Sequence, residues 1–280
     1  MKSQQLIFNR LVNRIYQIKM SEVETALIIL TRDQNKIIST IKELILYTGY
    51  EVEEKGIQRI KDTYFDRTDE ILRSEKIALR IRILNEIFPK VTLKIPKKTT
   101  ENYFERLEIE KPWSEEIFNE IISTINSYFN INIFNSHKKY FNQDPELTLI
   151  TAGFKVVQLR ETYRNLINAI NNNSKQTEYE FAIDNTTYII KNYRISNLEL
   201  EVESKTKYNN KSILNNFVNE LKNHEELFEF WPYSKLVTGK AIEELLVNNE
   251  LKEYIDFDNK NILTHVGLKK IKSIITAKNI

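Results

Sequence analysis

The segment Leu198–Ser204 reads LELEVES, with Glu199, Glu201 and Glu203 alternating with Leu198, Leu200 and Val202. A strand projects successive side chains to opposite faces, so the three carboxylates share one face and the apolar residues the other. The same period recurs along the chain. In Glu22–Leu30, Glu22, Glu24 and Ala26 lie together; in Ile77–Leu84, Arg80 and Arg82 lie with Ala78. Thr92 and Lys94 pair in Lys90–Ile95, and Arg106, Glu108 and Glu110 in Tyr103–Glu110. Gln158, Arg160, Thr162 and Arg164 share a face of Phe154–Arg164, and Glu180 and Asp184 a face of Tyr179–Ile190. With Lys61–Asp66, and with the acidic segment beginning at Arg194 to give Arg194–Ser204, these segments predict eight strands.

Helical spacing is predicted over Lys36–Thr48, Ser114–Tyr128, Lys211–Glu226, Lys240–Val247 and Gly267–Thr276. The first 20 residues read as a short amphipathic helix, and the Asn-rich Asn168–Thr177 as an exposed hairpin tip. The expected organisation is a helix over residues 1–20, a barrel domain over 21–240 and a helical appendage over 241–280.

A charged strand face is ordinarily a solvated one. Here the charges cluster by sign, and like charges this close repel unless counter-charges compensate them. The predicted helices also carry apolar faces that can cover the outside of a closed barrel. The fold class expected is therefore α+β: a closed eight-stranded antiparallel β-barrel with flanking helices and a charged interior. Enclosed charges must be paired or ligated. Carboxylates suit Mg2+ or Mn2+. Arginine and lysine suit phosphate oxygens, and arginine binds them bidentately. A polyphosphate held with divalent ions satisfies both sets.

Composition excludes several alternatives. Lys and Arg number 41 against 39 Asp and Glu, a net charge of +2 that argues against a general nucleic-acid or membrane partner. The absence of cysteine excludes a disulfide framework, a thiolate metal site and a cysteine nucleophile, and fits a cytoplasmic setting. With five glycines and neither GxxxxGKS, GxxxxGKT nor GxGxxG, no glycine-rich loop is present to cradle phosphate. No apolar run reaches the roughly 20 residues that span a bilayer. His137, His224 and His265 form no ligand-spaced cluster, Trp113 and Trp231 read as packing residues, and Lys269, Lys270 and Lys272 as a solvated helix face. Oligomeric state is left open, a homodimer included.

The ordered segments resemble the CYTH family, also called triphosphate tunnel metalloenzymes. EVETA at Glu22–Ala26 is similar to its ExExK signature, and DTYFDRTDEILRSEKIALRIR at Asp62–Arg82 to its YFDT…ALRxR stretch. VTLKIP, RLEIE, QLRETYR, YEFAIDNTTY, LELEVES and PYSKLVTGKA follow in the family's order, over about residues 20–240. The resemblance implies an eight-stranded tunnel and a metal-dependent triphosphatase. Its alternatives are a class IV-type adenylate cyclase and a module that only binds a nucleotide or polyphosphate. It implies metal binding by Glu22, Glu24, Glu199 and Glu201, with Glu108, Glu110 and Asp184 as further acids of the wall. It implies phosphate binding by Arg80, Arg82, Lys94, Arg106, Arg160 and Lys235, with Glu24, Arg80 and Lys94 closest to the chemistry. Arg164 and Glu203 are equally open to ordinary ion pairing at the rim. Ala26 stands where the signature has lysine, so one ammonium of the pattern is missing.

Overall fold

The computed structural model describes residues 21–99, 103–129, 141–206, 211–248, 251–256 and 261–278. The helix expected over residues 1–20, and His137, lie outside them. The strands are β1 (Ser21–Ile29), β2 (Glu51–Asp66), β3 (Ala78–Leu84), β4 (Lys90–Thr99), β5 (Phe104–Pro112), β6 (Lys155–Ile170), β7 (Thr177–Ile190), β8 (Tyr193–Ser204), β9 (Phe228–Phe230), β10 (Ile255–Asp256) and β11 (Ile262–Leu263). The helices that matter here are α1 (Gln34–Tyr47), α2 (Glu115–Phe129), α3 (Pro145–Thr151), α4 (Lys211–Lys222), α5 (Lys235–Val247) and α6 (His265–Lys278). Hydrogen bonding runs in the order β8, β7, β6, β2, β3, β4, β5, β1, and β1 pairs back to β8. The sheet is thus the expected closed eight-stranded antiparallel barrel with flanking helices. Strands β9 and β10–β11 are additions to β1 and β8.

Three expectations need correction. β2 begins at Glu51, ten residues before Lys61. Its first half is mostly exposed, so burial leaves no alternation there to read. β6 continues to Ile170, so Asn168, Ala169 and Ile170 belong to a strand, and Asn168 is buried; only the turn that follows is a tip. Helix α5, expected from Lys240, begins at Lys235, where Ser234 caps it. Helix α3 was not anticipated; Asp144 caps it by accepting from the backbone N–H of Glu146 and Leu147, and Pro145 occupies its first turn.

The chain divides into two compact units. In the first, which holds residues 62–97 and 106–157, Leu79, Ile81, Val91 and Leu93 lie on the apolar faces of β3 and β4. They pack with Phe118, Ile121, Ile122 and Ile125 of α2. In the second, Val23, Leu27, Phe181, Ile183, Leu200 and Val202 pack with Ile37 and Ile41 of α1 and Leu214 and Phe217 of α4. In each unit the helices therefore cover the apolar strand faces, and the charged residues occupy the opposite faces. Trp113 stacks on Phe141 at 5.8 Å, and Trp231 is buried with its indole N–H donating to Thr238. Among the described residues no helix is long and apolar enough to cross a membrane.

Candidate functional site

In the second unit, cross-strand register assembles the acids. Glu24 lies opposite Glu203, and Glu203 opposite Glu180. Ala26 lies opposite Glu201, and Glu201 opposite Ala182. Glu199 lies opposite Asp184, and Asp184 opposite Arg164. Directly opposed residues of an antiparallel pair point to the same side. Asp184 is 0 %, Glu199 1 % and Arg160 2 % exposed, whereas Arg164, Glu180, Glu201 and Glu203 are half-buried. Glu22 and Glu24 are buried as well.

Two cations bind the middle of this face. The Arg164 fork donates to both oxygens of Asp184, at 2.8 and 2.7 Å, and its Nη2 also donates to Glu201 at 2.6 Å. Lys235 enters from the first position of α5, whose start is capped by the Ser234 hydroxyl accepting from the Val237 N–H. Its Nζ lies 3.1 Å from Asp184 and 3.6 Å from Glu199, and it donates to Glu201. Burial alone would lower the Lys235 pKa, but Glu199, Glu201 and Asp184 together hold it above the ordinary lysine value. Burial raises Glu199 to about 7; Glu201 and Asp184 push the same way, while Lys235 and Arg160 pull it back. At the Glu24 end, Lys205 contacts Glu203 at 2.7 Å and Glu180 at 3.4 Å. Lys235 thus reaches Glu201, the residue opposite Ala26, from a different element.

In the first unit, the β3–β4 register sets Arg80 opposite Thr92, Arg82 opposite Lys90 and Ala78 opposite Lys94. Arg80 is 7 % exposed. Its guanidinium lies 3.6 Å from Asp62, 3.5 Å from Glu110 and 3.8 Å from Glu108, and it donates to the Tyr64 hydroxyl at 3.3 Å. Burial opposes the Arg80 charge, but these acids hold its pKa well above the ordinary value. Lys94 lies 3.5 Å from Glu108. Glu110 accepts from Thr92 at 3.0 Å, and although burial disfavours its charge, Arg80, Arg82 and Lys90 bring its pKa down to about 2. Arg106 is half-buried on β5.

Of the residues singled out from sequence, the second unit brings together Asp184, Glu199, Glu201 and Lys235, with Glu22, Glu24 and Arg160 on the same face. The first unit brings together Arg80, Lys94, Glu108 and Glu110. Arg82 is instead clamped by Asp62, which the sequence reading assigned no role. Arg164 is a half-buried residue paired with both Asp184 and Glu201. Asp62 and Tyr64 were accessible to the same alternation rule, since both face Arg80 from DTYFD.

Seven carboxylates (Glu22, Glu24, Glu180, Asp184, Glu199, Glu201 and Glu203) and four cations (Arg160, Arg164, Lys205 and Lys235) give the second unit's face a formal charge of −3. An all-oxygen, electron-rich donor set, with Glu22, Glu24, Asp184 and Glu199 buried and Glu180, Glu201 and Glu203 half-buried, fits a hard cation. As the side chains stand, no group of three or more acids and histidines among the described residues is arranged to hold a metal ion. Arg164 and Lys235 occupy oxygens that an ion would share or take over.

The chain thus presents a closed antiparallel barrel with buried acids and bases on its strand faces. The CYTH domain matches residues 20–227, and the chain belongs to that family. Among curated proteins none matches the chain. Among solved structures, the Hippeastrum protein HpAC1, described as having a dominant triphosphatase activity, is similar at 16% identity; 79% of this chain and 95% of that one are covered, with a TM-score of 0.46. The Pyrococcus horikoshii OT3 protein PH1819 is similar at 17% identity, covering 81% and 99%, with a TM-score of 0.43. The Mimivirus capping enzyme triphosphatase is similar at 13% identity, covering 77% and 95%, with a TM-score of 0.37. Family membership rests on the domain match rather than on these distant likenesses.

Proposed function

We propose that this protein is a divalent-metal-dependent triphosphatase acting on inorganic triphosphate or on a nucleoside or other organic triphosphate. The observation that carries this reading is the burial of Glu22, Glu24, Asp184 and Glu199 with Arg160 and Lys235 in the second unit, in a chain of the CYTH family. Glu22, Glu24, Asp184, Glu199 and Glu201 are the residues that would hold Mg2+ or Mn2+, with Glu108 and Glu110 as further acids. A bound divalent ion supplies neutralisation of phosphate charge and acidification of water. Arg80, Lys94, Arg106 and Arg160 bind phosphate oxygens and stabilise charge on the phosphoryl group in transfer. Lys235 is a further basic residue for phosphate, while the signature ammonium is absent at Ala26.

Ala26 also supports a second reading, a tunnel that binds triphosphate without turning it over. The test is product release from tripolyphosphate and from nucleoside triphosphates, with Mg2+ or Mn2+, for the wild-type chain and Glu24→Ala. The expected result is phosphate release that falls by about a hundredfold or more in the variant. Equal rates in the two proteins reject the site. Tight binding without product selects the second reading, and cyclic AMP in place of phosphate reassigns the chain to the cyclases.

A further inference from the structure

Asp62 lies on β2 and is 1 % exposed. Arg82 meets it edge to edge: Nε donates to Oδ1 at 2.8 Å and Nη2 to Oδ2 at 2.9 Å. That is the bidentate fork with which arginine otherwise grips phosphate, and here a carboxylate uses it. Arg80, two residues earlier on the same face, is held differently. Its contacts to Asp62, Glu108 and Glu110 are single and long, at 3.6, 3.8 and 3.5 Å. Its buried Nε has no hydrogen-bond partner among the described residues. A buried guanidinium N–H without a partner is costly unless a ligand completes it.

Two guanidinium groups at alternate positions of one strand repel. Asp62 Oδ2 contacts both, at 2.9 Å from Arg82 Nη2 and 3.6 Å from Arg80 Nη1, and so offsets the repulsion. From this geometry we infer that Asp62 is a positioning residue: it locks Arg82 into a carboxylate–guanidinium strut, and the strut sets Arg80 as the arginine that contacts phosphate. Arg82 acts through Asp62 and not by touching the ligand. The inference rests on the triphosphate reading above and divides the labour of its two β3 arginines.

The experiment is calorimetric binding of inorganic tripolyphosphate, with Mg2+, to the full chain and its variants. Arg80→Gln is expected to lose about a hundredfold in affinity, the cost of removing one partner of a desolvated charge pair. Arg82→Gln and Asp62→Asn each lose about tenfold, and the double variant loses no more than either alone, because both break one strut. A structural signature accompanies this. The Arg82 Nε–H resonance, protected from exchange in the wild-type chain and in Arg80→Gln, loses protection in Asp62→Asn and keeps it in Asp62→Glu. If Asp62→Asn does not fold, Arg82→Lys replaces it, since lysine keeps the charge but lacks the fork. Additive losses overturn the inference alone. So does an Arg82→Gln defect equal to that of Arg80→Gln, with Asp62→Asn binding more tightly. No tripolyphosphate binding by the wild-type chain overturns the triphosphate reading and this inference together.

Discussion

Glu199 shows what the enclosed face does to a single group. Its carboxyl is 1 % exposed, and burial lifts its pKa from 4.5 to about 7 despite Lys235 at 3.6 Å. Between those two values the folded protein retains a proton that the unfolded chain has released. The folded state therefore binds more protons, and its stability falls as pH rises from about 4.5 to about 7. The full effect of this one group is on the order of 3 kcal/mol. Thermal unfolding in the presence of a chelator is expected to show the decline in the wild-type chain and a flatter profile in Glu199→Gln. Profiles of equal slope would remove Glu199 from this role. At this scale much was legible. Alternation alone put Glu199, Glu201 and Asp184 among the charged positions, because a period of two depends only on the strand and not on its neighbours. It did not reveal that Arg164 closes on Asp184 and Glu201, since that pairing depends on the β6–β7 register, which no local pattern specifies.

Helix α5 shows how one element is fixed against the sheet so that Lys235 reaches the acids. The close approach occurs at Gly239. A Cβ there would lie 1.9 Å from Gln158 Nε2, 2.6 Å from Gln158 Cδ and 2.8 Å from Tyr188 Cδ1. Gln158 is a side chain that can swing, although its amide donates to the Leu236 carbonyl at 3.2 Å. Tyr188 is fully buried in the core around Trp231 and has nowhere to go. Gly239→Ala is therefore expected to destabilise the protein by about 1–3 kcal/mol through overpacking, despite the better helix propensity of alanine. Chemical denaturation of the two proteins checks this, and a variant as stable as wild type or more so would show that α5 tolerates a wider gap. Elements were legible where one face is buried. β3 and β4 follow their apolar and polar alternation to within a few residues. They were illegible where packing is absent or two-sided: the exposed first half of β2, and the end of β6, where Leu166, Ile167, Asn168 and Ala169 are all buried.

At the scale of the whole molecule, the domain match ends at residue 227, but the physical unit does not. Ile28, Tyr188, Ile190 and Ile195 of the barrel strands share a core with Trp231, Ile242 and Leu245, and with Ile255, Leu263 and Ile271 beyond them. Strand β11 joins the edge of β8, with the Ser196 N–H donating to the Asn261 carbonyl at 3.0 Å. Removing residues 228–280 would strip that core of most of its members and expose large side chains, each worth about 1.5–3 kcal/mol when buried. The same cut would take Lys235 from Asp184, Glu199 and Glu201, and removing one partner from a buried charge cluster costs about 3–5 kcal/mol. Together these losses equal or exceed the roughly 5–15 kcal/mol by which a domain is stable. A chain ending at Leu227 is therefore expected to show no cooperative thermal transition and little soluble yield, while Lys235→Met in the full chain unfolds cooperatively at a reduced temperature. If the shortened chain instead unfolds cooperatively near the full chain's midpoint, the barrel stands without the segment. The charge balance of its acidic face would then have to come from residues other than Lys235. In the opposite case the segment beyond the domain match is part of the fold, and it carries Lys235 because the same packing that closes the core also delivers an ammonium to the acids.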